Sequence, residues 1–263
     1  MFKIEHITQY SFSEAPVHSV QRLNLTPLHS DSQNVQNWQI TIDGAEIVLS
    51  SRDHHGNLFH LAAQQTKTSE IKISASGEVK TTDSFGVVGP HDNLLPLELF
   101  RHETRLCKFG PHMRQIEAVL PKKTDELGFL HETSAAILDK VKYEKAQTTV
   151  ETDAENAAAL GVGVCQDHVH IFLTLVRRQG FAARYVSGYL MGPAESGHQA
   201  THAWAEAYID GLGWVGFDIS NGISPDQNYV KLATGFDYAD AQPVSGMRYG
   251  EGTEAMSTLV SVQ

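Results

Sequence analysis

Two stretches decide the fold: GVGVCQDHVHIFLTLVRRQG, residues 161–180, and HAWAEAYIDGLGWVGFD, residues 202–218. In the first, the glycines at 161 and 163 form a turn, and a helix runs from there to about Gly180. Val169, Phe172 and Val176 share the side of Cys165, with Ile171, Leu173 and Leu175 flanking; Gln166, Asp167, His170, Thr174, Arg177 and Arg178 form a polar stripe. In the second, the period is two. His202, Trp204, Glu206 and Tyr208 fall on one face, and Ala203, Ala205, Ala207 and Ile209 on the other. Asp210-Gly211-Leu212-Gly213 is a turn, after which Trp214, Gly216 and Asp218 alternate with Val215 and Phe217. If the apolar faces meet one core, His202 and Asp218 lie on the same opposite face of a hairpin. The small alanines predict close packing beneath, and the Cys165 helix is the natural partner.

This pattern carries chemistry. Cys165 stands at the first turn of its helix, where unpaired N–H groups and the dipole favour an anion, so a thiolate is stabilised there. Its own backbone N–H is aimed where an oxyanion would form. A thiol nucleophile needs a base, and the base needs an orienting group; His202 and Asp218 fit those roles. Cys107, in Arg105-Leu106-Cys107-Lys108-Phe109, has no such setting and reads as structural.

Outward from this core, Thr152-Asp153-Ala154-Glu155 matches a capping box for a short helix ending at Gly161. Ala135, Ile137, Leu138 and Val141 have helical spacing in a segment that ends near Tyr143. The first hundred residues alternate instead, from Phe2 to Phe12, at Trp38–Ile42 and at Ile71–Ala75, with turn signals at Asp43-Gly44, Gly56-Asn57 and Ser76-Gly77. That predicts an antiparallel β-sandwich over 1–105. The proline-bearing stretch from Gly89 to Pro111 reads as a connector, and an α+β domain of helices packed on an antiparallel sheet follows over 106–263. Further strands are expected near Tyr229–Ala233 and Thr258–Val262. His54-His55 reads as a surface or turn pair.

Composition narrows the function classes. The chain has 263 residues, 41% apolar and 19% charged, which excludes a disordered chain. Twenty Lys and Arg against 31 Asp and Glu give −11, an argument against nucleic acid or anionic membrane as partner. There is no 18-residue apolar run and no signal-type start, and two cysteines make no disulfide scaffold; a cytoplasmic location is expected. The 14 histidines invite a metal reading through Cys165, His168, His170, His198 and His202. The spacing lacks the paired logic of secure zinc sites, and His170 falls opposite Cys165. A non-catalytic binding module is a third reading.

The runs GVGVCQDHVHIFLTLVRRQGFAARYVSGYL and HAWAEAYIDGLGWVGFDISNG resemble the bacterial transglutaminase-like family, a branch of the papain-like cysteine enzymes. HITQYSFSEAPVHSVQRLNLTPL resembles that group's N-terminal β-domain, and GFDYADAQPVSG its tail. The resemblance implies Cys165 as nucleophile, His202 as general base and then acid, and Asp218 as the residue orienting it. It implies acyl transfer at a peptide or protein amide through a Cys165 thioester, with no metal or organic cofactor. Hydrolysis is favoured over amine transfer. Tyr143, at a position aromatic in similar sequences, is the candidate second oxyanion donor, with Gln147 as another, and Trp204 and Trp214 are candidate cleft walls. The chain departs from the family pattern in three places, one of them the lack of an arginine expected near Phe236. Asp218-Ile219-Ser220-Asn221 stands where Asp-Pro-Thr-Asn is usual, and His168-Val169 where a Phe-Ala pair is usual.

Overall fold

The computed structural model describes residues 1–92, 94–192 and 201–263. It is α+β, as the two sequence periods predict. Strands β1 (Phe2–Phe12), β3 (Gln33–Asp43) and β6 (Glu70–Thr81) share one antiparallel sheet; β2 (His18–Leu23), β4 (Glu46–Arg52) and β5 (Leu58–Ala63) share a second. Alternation decides the packing. Ile4, His6, Thr8, Tyr10 and Phe12 of β1 are all buried, and Ile4, Tyr10 and Phe12 join Leu23, Leu25, Ala62, Ile71 and Ile73 in one apolar core.

Two local readings change. Ser76-Gly77 is not a turn: β6 runs through it. A Cβ at Gly77 would collide with the Asn37 carbonyl and Trp38, so this glycine marks a close strand approach beside the bulge at Val35/Asn37. His54-His55 does sit in the β4–β5 turn, but His55 is buried. Its ring lies 4.6 Å from that of Phe236 and 6.0 Å from that of Phe100, which wedges the sandwich against the remaining fold.

The connector holds β7 (Val87–Gly89), a 3₁₀ turn at Leu97–Arg101 and α1 (Pro111–Glu117). Beyond it, β10 (Ala183–Leu190), β11 (Thr201–Ile209), β12 (Gly213–Phe217) and β13 (Tyr229–Gly235) form an antiparallel sheet in the order β13-β10-β11-β12-β7. Helices α2 (Glu126–Lys140), α3 (Ala154–Leu160) and α4 (Cys165–Arg178) pack on one face. Ala203, Ala205 and Ala207 lie in the same apolar core as the α4 residues Val169, Phe172 and Val176, as their small size predicts. A short parallel ladder, β8 (Lys142–Tyr143) with β9 (Val162–Gly163), ties the end of α2 to the start of α4.

Helix α4 is not one-faced as the wheel suggests. Every residue from Asp167 to Arg177 is buried, so the polar stripe finds partners inside the protein. Arg177 donates to the carbonyls of His102, Ala183 and Phe236. The Tyr238 amide donates to His170 Nε2 at 3.3 Å.

Sheet membership also crosses the division drawn at residue 105. After α5 (Tyr238–Ala241), β14 (Val244–Tyr249) pairs with β2 and β15 (Glu254–Val262) pairs with β1, so the last two strands extend the two N-terminal sheets. Conversely, β7 pairs with β12. Alternation marks a strand and its buried face; it does not name the partner strand.

The capping box is redistributed. Asp153, not Thr152, caps α3 by accepting from the Asn156 N–H at 2.9 Å. Glu155 turns to the start of α1 and accepts from the His112 and Met113 N–H groups at 2.9 and 3.0 Å. Partial burial would raise the Glu155 pKa, but these hydrogen bonds outweigh it and hold the carboxyl below its ordinary value. Its contribution is therefore present near neutral pH and is lost as pH falls through that lowered pKa. Glu155→Gln should cost about 1 kcal/mol, the usual worth of a helix cap. Urea unfolding at pH 7 should show this difference, and it should shrink in acid; equal stability at pH 7 would contradict the assignment.

Candidate active site

Cys165 is the first residue of α4, and Val164 before it is extended. Asp167 locks this turn: its Oδ2 accepts from the Val164 N–H at 2.8 Å and from the Thr148 hydroxyl at 2.7 Å. Burial raises the Asp167 pKa, and the same bonds oppose the rise. Gly163 is needed here, because a Cβ would press on the Asp167 side chain. Both cysteines are free; Cys165 is partly exposed, whereas Cys107 is fully buried. Burial pushes the Cys107 thiol up in pKa, against a weaker pull from Arg177.

His202 and Asp218 do share a face. Ala205 pairs with Phe217, so Trp204 stands opposite Asp218 and His202 is its diagonal neighbour. His202 Nε2 donates to Asp218 Oδ2 at 2.7 Å. That leaves Nδ1 for the Cys165 sulfur, and the two side chains are hydrogen-bonded. Burial alone would favour the neutral ring. The hydrogen bonds to Asp218 and Cys165, and their charges, outweigh it and push the His202 pKa up to about 10. A ring cationic over that range is the neighbour a thiolate needs.

Asp218 has no solvent exposure. It accepts from the Tyr229 hydroxyl and Asn221 Nδ2, both at 2.6 Å, and from the Asn221 N–H at 3.2 Å. Burial would raise its pKa, but the bonds from His202, Tyr229 and Asn221 hold it below the usual carboxylate range. Sequence reading missed Asn221 and Tyr229. Asn221 has a local signal, since a side chain three residues on can close a turn around an aspartate. Tyr229 has none, because it comes from β13, with β10 and β11 between it and β12.

A cleft of about 260 Å³ opens at Cys165 and His202. Gln166, Tyr185 and Tyr238 line it from the core, and His6, Thr8, Met256 and Thr258 from the sandwich. His6 Nδ1 lies 2.9 Å from the Tyr189 hydroxyl and Nε2 lies 3.1 Å from Thr8 Oγ1. Burial lowers the His6 pKa to about 4, so this wall is neutral at physiological pH. Trp204 and Trp214 do not wall the cleft, contrary to the sequence expectation. Trp204 is buried edge-on against Tyr229, and Trp214 is buried against Phe100, donating to His91 Nδ1 at 3.2 Å. Their face is covered by the connector and by Tyr229, which alternation cannot foresee.

Tyr143 is half-exposed, with its ring 6.2 Å from that of His168. Partial burial, then the charges of Cys165 and Asp218, raise its pKa, which places it in the field of the site. Gln147 is exposed and donates to Glu144 Oε1 at 2.9 Å. Of the residues in the metal reading, His168 is engaged by Val141 and Ser220, and His170 by the Tyr238 amide. His198 lies outside the described residues. Among the described residues no three His, Cys, Asp or Glu side chains are grouped to hold a metal ion.

A cysteine at a helix start, hydrogen-bonded to a histidine on the adjoining antiparallel sheet, defines the papain-like cysteine-enzyme class. Residues 115–219 match the transglutaminase-like superfamily, and residues 2–80 match the bacterial transglutaminase-like N-terminal region. The chain thus carries a transglutaminase-like core preceded by a bacterial transglutaminase-like N-terminal region. It is similar to an uncharacterised protein of Mycobacterium tuberculosis, 29% identical over 99% of this chain and 90% of that one. An uncharacterised protein of Mycobacterium leprae is 24% identical over 99% of this chain and 97% of its own. A crystal structure from Cytophaga hutchinsonii, provisionally described as a cysteine protease, matches with a TM-score of 0.80 at 23% identity. That match covers 100% of this chain and 89% of the other, and shows the shared fold.

The two thiols should separate cleanly. Iodoacetamide at neutral pH should alkylate Cys165 well before Cys107, as read by mass spectrometry over a short time course. Equal rates, or Cys107 first, would remove the assignment of the nucleophile. Asp218→Asn should keep the fold but allow the wrong imidazole tautomer. By analogy with the serine triad, the expected loss of turnover is ~10³–10⁴-fold. Unchanged turnover would show that another group orients His202.

Proposed function

We propose that this protein is a cysteine-dependent acyl-transfer enzyme that hydrolyses peptide or isopeptide amides through a Cys165 thioester. The observation that carries the reading is the position of His202, between the Cys165 thiol and the buried Asp218 carboxylate at 2.7 Å. The Cys165 sulfur attacks the amide carbonyl, and the imidazolium of His202 delivers its proton to the departing amine. The tetrahedral oxyanion takes a hydrogen bond from the Cys165 N–H, with the Tyr143 hydroxyl as second donor. Neutral His202 then takes a proton from water. The hydroxide equivalent attacks the thioester, the carboxylic acid leaves, and the thiol is restored.

Water is favoured as acceptor because aminolysis needs a second region that holds an amine and excludes water. Among the described residues the two tryptophans that could have walled such a tunnel are buried elsewhere. The expected substrate is a peptide or protein amide. The described lining of the cleft carries no Asp, Glu, Lys or Arg, which suits an uncharged acyl group. A free nucleophilic thiol suits a reducing compartment such as the cytoplasm. No helix among the described residues is long and apolar enough to cross a membrane.

Two measurements test this reading. An acyl donor supplied with a large excess of a primary amine should give mainly the hydrolysed acid by mass spectrometry. A dominant amide adduct at modest amine concentration would make the protein a transamidase, and no acyl-enzyme at all would leave a peptide-binding module. Tyr143→Phe should lower turnover by ~10²–10³-fold, the usual effect of losing an oxyanion donor. Full turnover would exclude a role for its hydroxyl.

A further inference from the structure

A buried histidine of α4 and a serine of the turn after Asp218 meet in space. His168 Nδ1 lies 2.8 Å from the Ser220 hydroxyl, and His168 Nε2 lies 3.0 Å from the Val141 carbonyl. A carbonyl only accepts, so Nε2 carries the proton and Nδ1 accepts from Ser220. The ring has no solvent exposure, and burial lowers its pKa and keeps it neutral, although Val141 and the charge of Asp218 pull the other way.

We propose that His168 is a positioning residue: with Ser220 it ties the turn bearing Asp218 to the helix bearing Cys165. The proposal rests on reading Cys165, His202 and Asp218 as the reacting set. His168 stands three residues after Cys165, on the same side of α4. Ser220 stands two residues after Asp218, beyond the last β11–β12 pair, Ala205 with Phe217. The ladder with β11 does not reach Ser220: the turn is closed on itself by the backbone bridge between Asp218 and Ile223, and side chains tie it to its neighbours. Asn221 holds Asp218 from within the turn, and Tyr229 holds it from β13. The bond from Ser220 joins the turn to α4. The connections close a ring: from Cys165 along α4 to His168, across to Ser220, back to Asp218, and through His202 to the thiol. A phenylalanine at 168 would fill the space without directing the turn. Ile219 leaves the backbone φ there free of any ring constraint, so the directional bond has more to restrain.

The test uses the full chain as Ser220→Ala, Ser220→Thr, His168→Phe and the Ser220→Ala/His168→Phe double variant, with thermal unfolding as a check on folding. Ser220→Ala and His168→Phe should each lower kcat by up to about tenfold, the worth of one hydrogen bond, with little change in KM. The double variant should be no worse than the poorer single one, because coupled residues are non-additive. Ser220→Thr keeps the hydroxyl and should match the parent. A second measurement needs no substrate. The alkaline limb of the pH profile for Cys165 alkylation by iodoacetate, an anion drawn in by the His202 imidazolium, follows loss of the His202 proton, and it should move down by about one pH unit in Ser220→Ala as the hold of Asp218 on His202 loosens. Additive losses, a Ser220→Thr protein as impaired as Ser220→Ala, or an unmoved profile would overturn the proposal. If His168→Phe fails to fold, the serine pair and the profile still decide. A parent that is alkylated at Cys165 but turns over no amide would remove the proposed function and leave the profile to judge the positioning role.

Discussion

A carboxylate sealed from water must be surrounded by donors, and Asp218 imposes that demand on the transglutaminase-like core of the molecule. Its four hydrogen bonds come from three places: His202 on β11, Tyr229 on β13, and the side chain and amide of Asn221 in the following turn. Removing one partner of a buried charge costs roughly 3–5 kcal/mol, far more than the pair contributes net. The sheet is thus held to one arrangement near the site. Trp204 belongs to this demand as well, since its edge packs against Tyr229 at 5.4 Å between ring centroids. Gly188 makes room for it: a Cβ there would strike the Trp204 ring and the Val230 carbonyl. The tryptophan supports the Tyr229–Asp218 contact from beneath.

The N-terminal sandwich is built into the same site. Tyr189, Val230 and Leu232 of the core sheet lie in one apolar cluster with Ile4, Leu23 and Ile73 of the sandwich. The hydrogen bond between Tyr189 and His6 crosses the same boundary. β14 and β15 then return after the core sheet is complete and close both N-terminal sheets at their edges. Met256 and Thr258, on the β15 face that pairs with Tyr10 and Thr8, reach the cleft mouth. The chain ends support the wall opposite the thiol.

What the sequence disclosed follows from the range of the forces involved. The hairpin face shared by His202 and Asp218 was legible because strand period and turn length fix it locally. The helix-start cysteine was legible for the same reason, through Gly161 and Gly163. Tyr229 and His6 were not, because each acts through a long-range contact that leaves no spacing in the chain. Trp204 and Trp214 were placed on the correct face but in the wrong medium: a face says which side a residue takes, not what covers it. Glu155 shows the intermediate case. Its position near a helix start was right, yet the unpaired N–H groups it serves belong to α1, which tertiary packing brings alongside.

The contrast between the two cysteines shows why a neighbouring cation does not by itself make a nucleophile. Cys107 lies in the field of Arg177, and that positive charge does lower the cost of a thiolate. The guanidinium, however, already donates to three backbone carbonyls, and the thiol beside it has no exposure. Desolvation is the larger effect, and the sulfur stays protonated and out of reach. At Cys165 the thiol is partly exposed at a cleft, stands at a helix start, and faces a cation that is itself anchored by a buried carboxylate. His202 also differs from Arg177 in kind, because it can give its proton up and take one back. A fixed cation could stabilise an anion there, but it could not pass a proton to a departing amine. The proposed chemistry therefore depends on the pairing of an accessible sulfur with a titratable cation, and the hydrogen bond and charge of Asp218 favour that cation until a leaving group needs its proton.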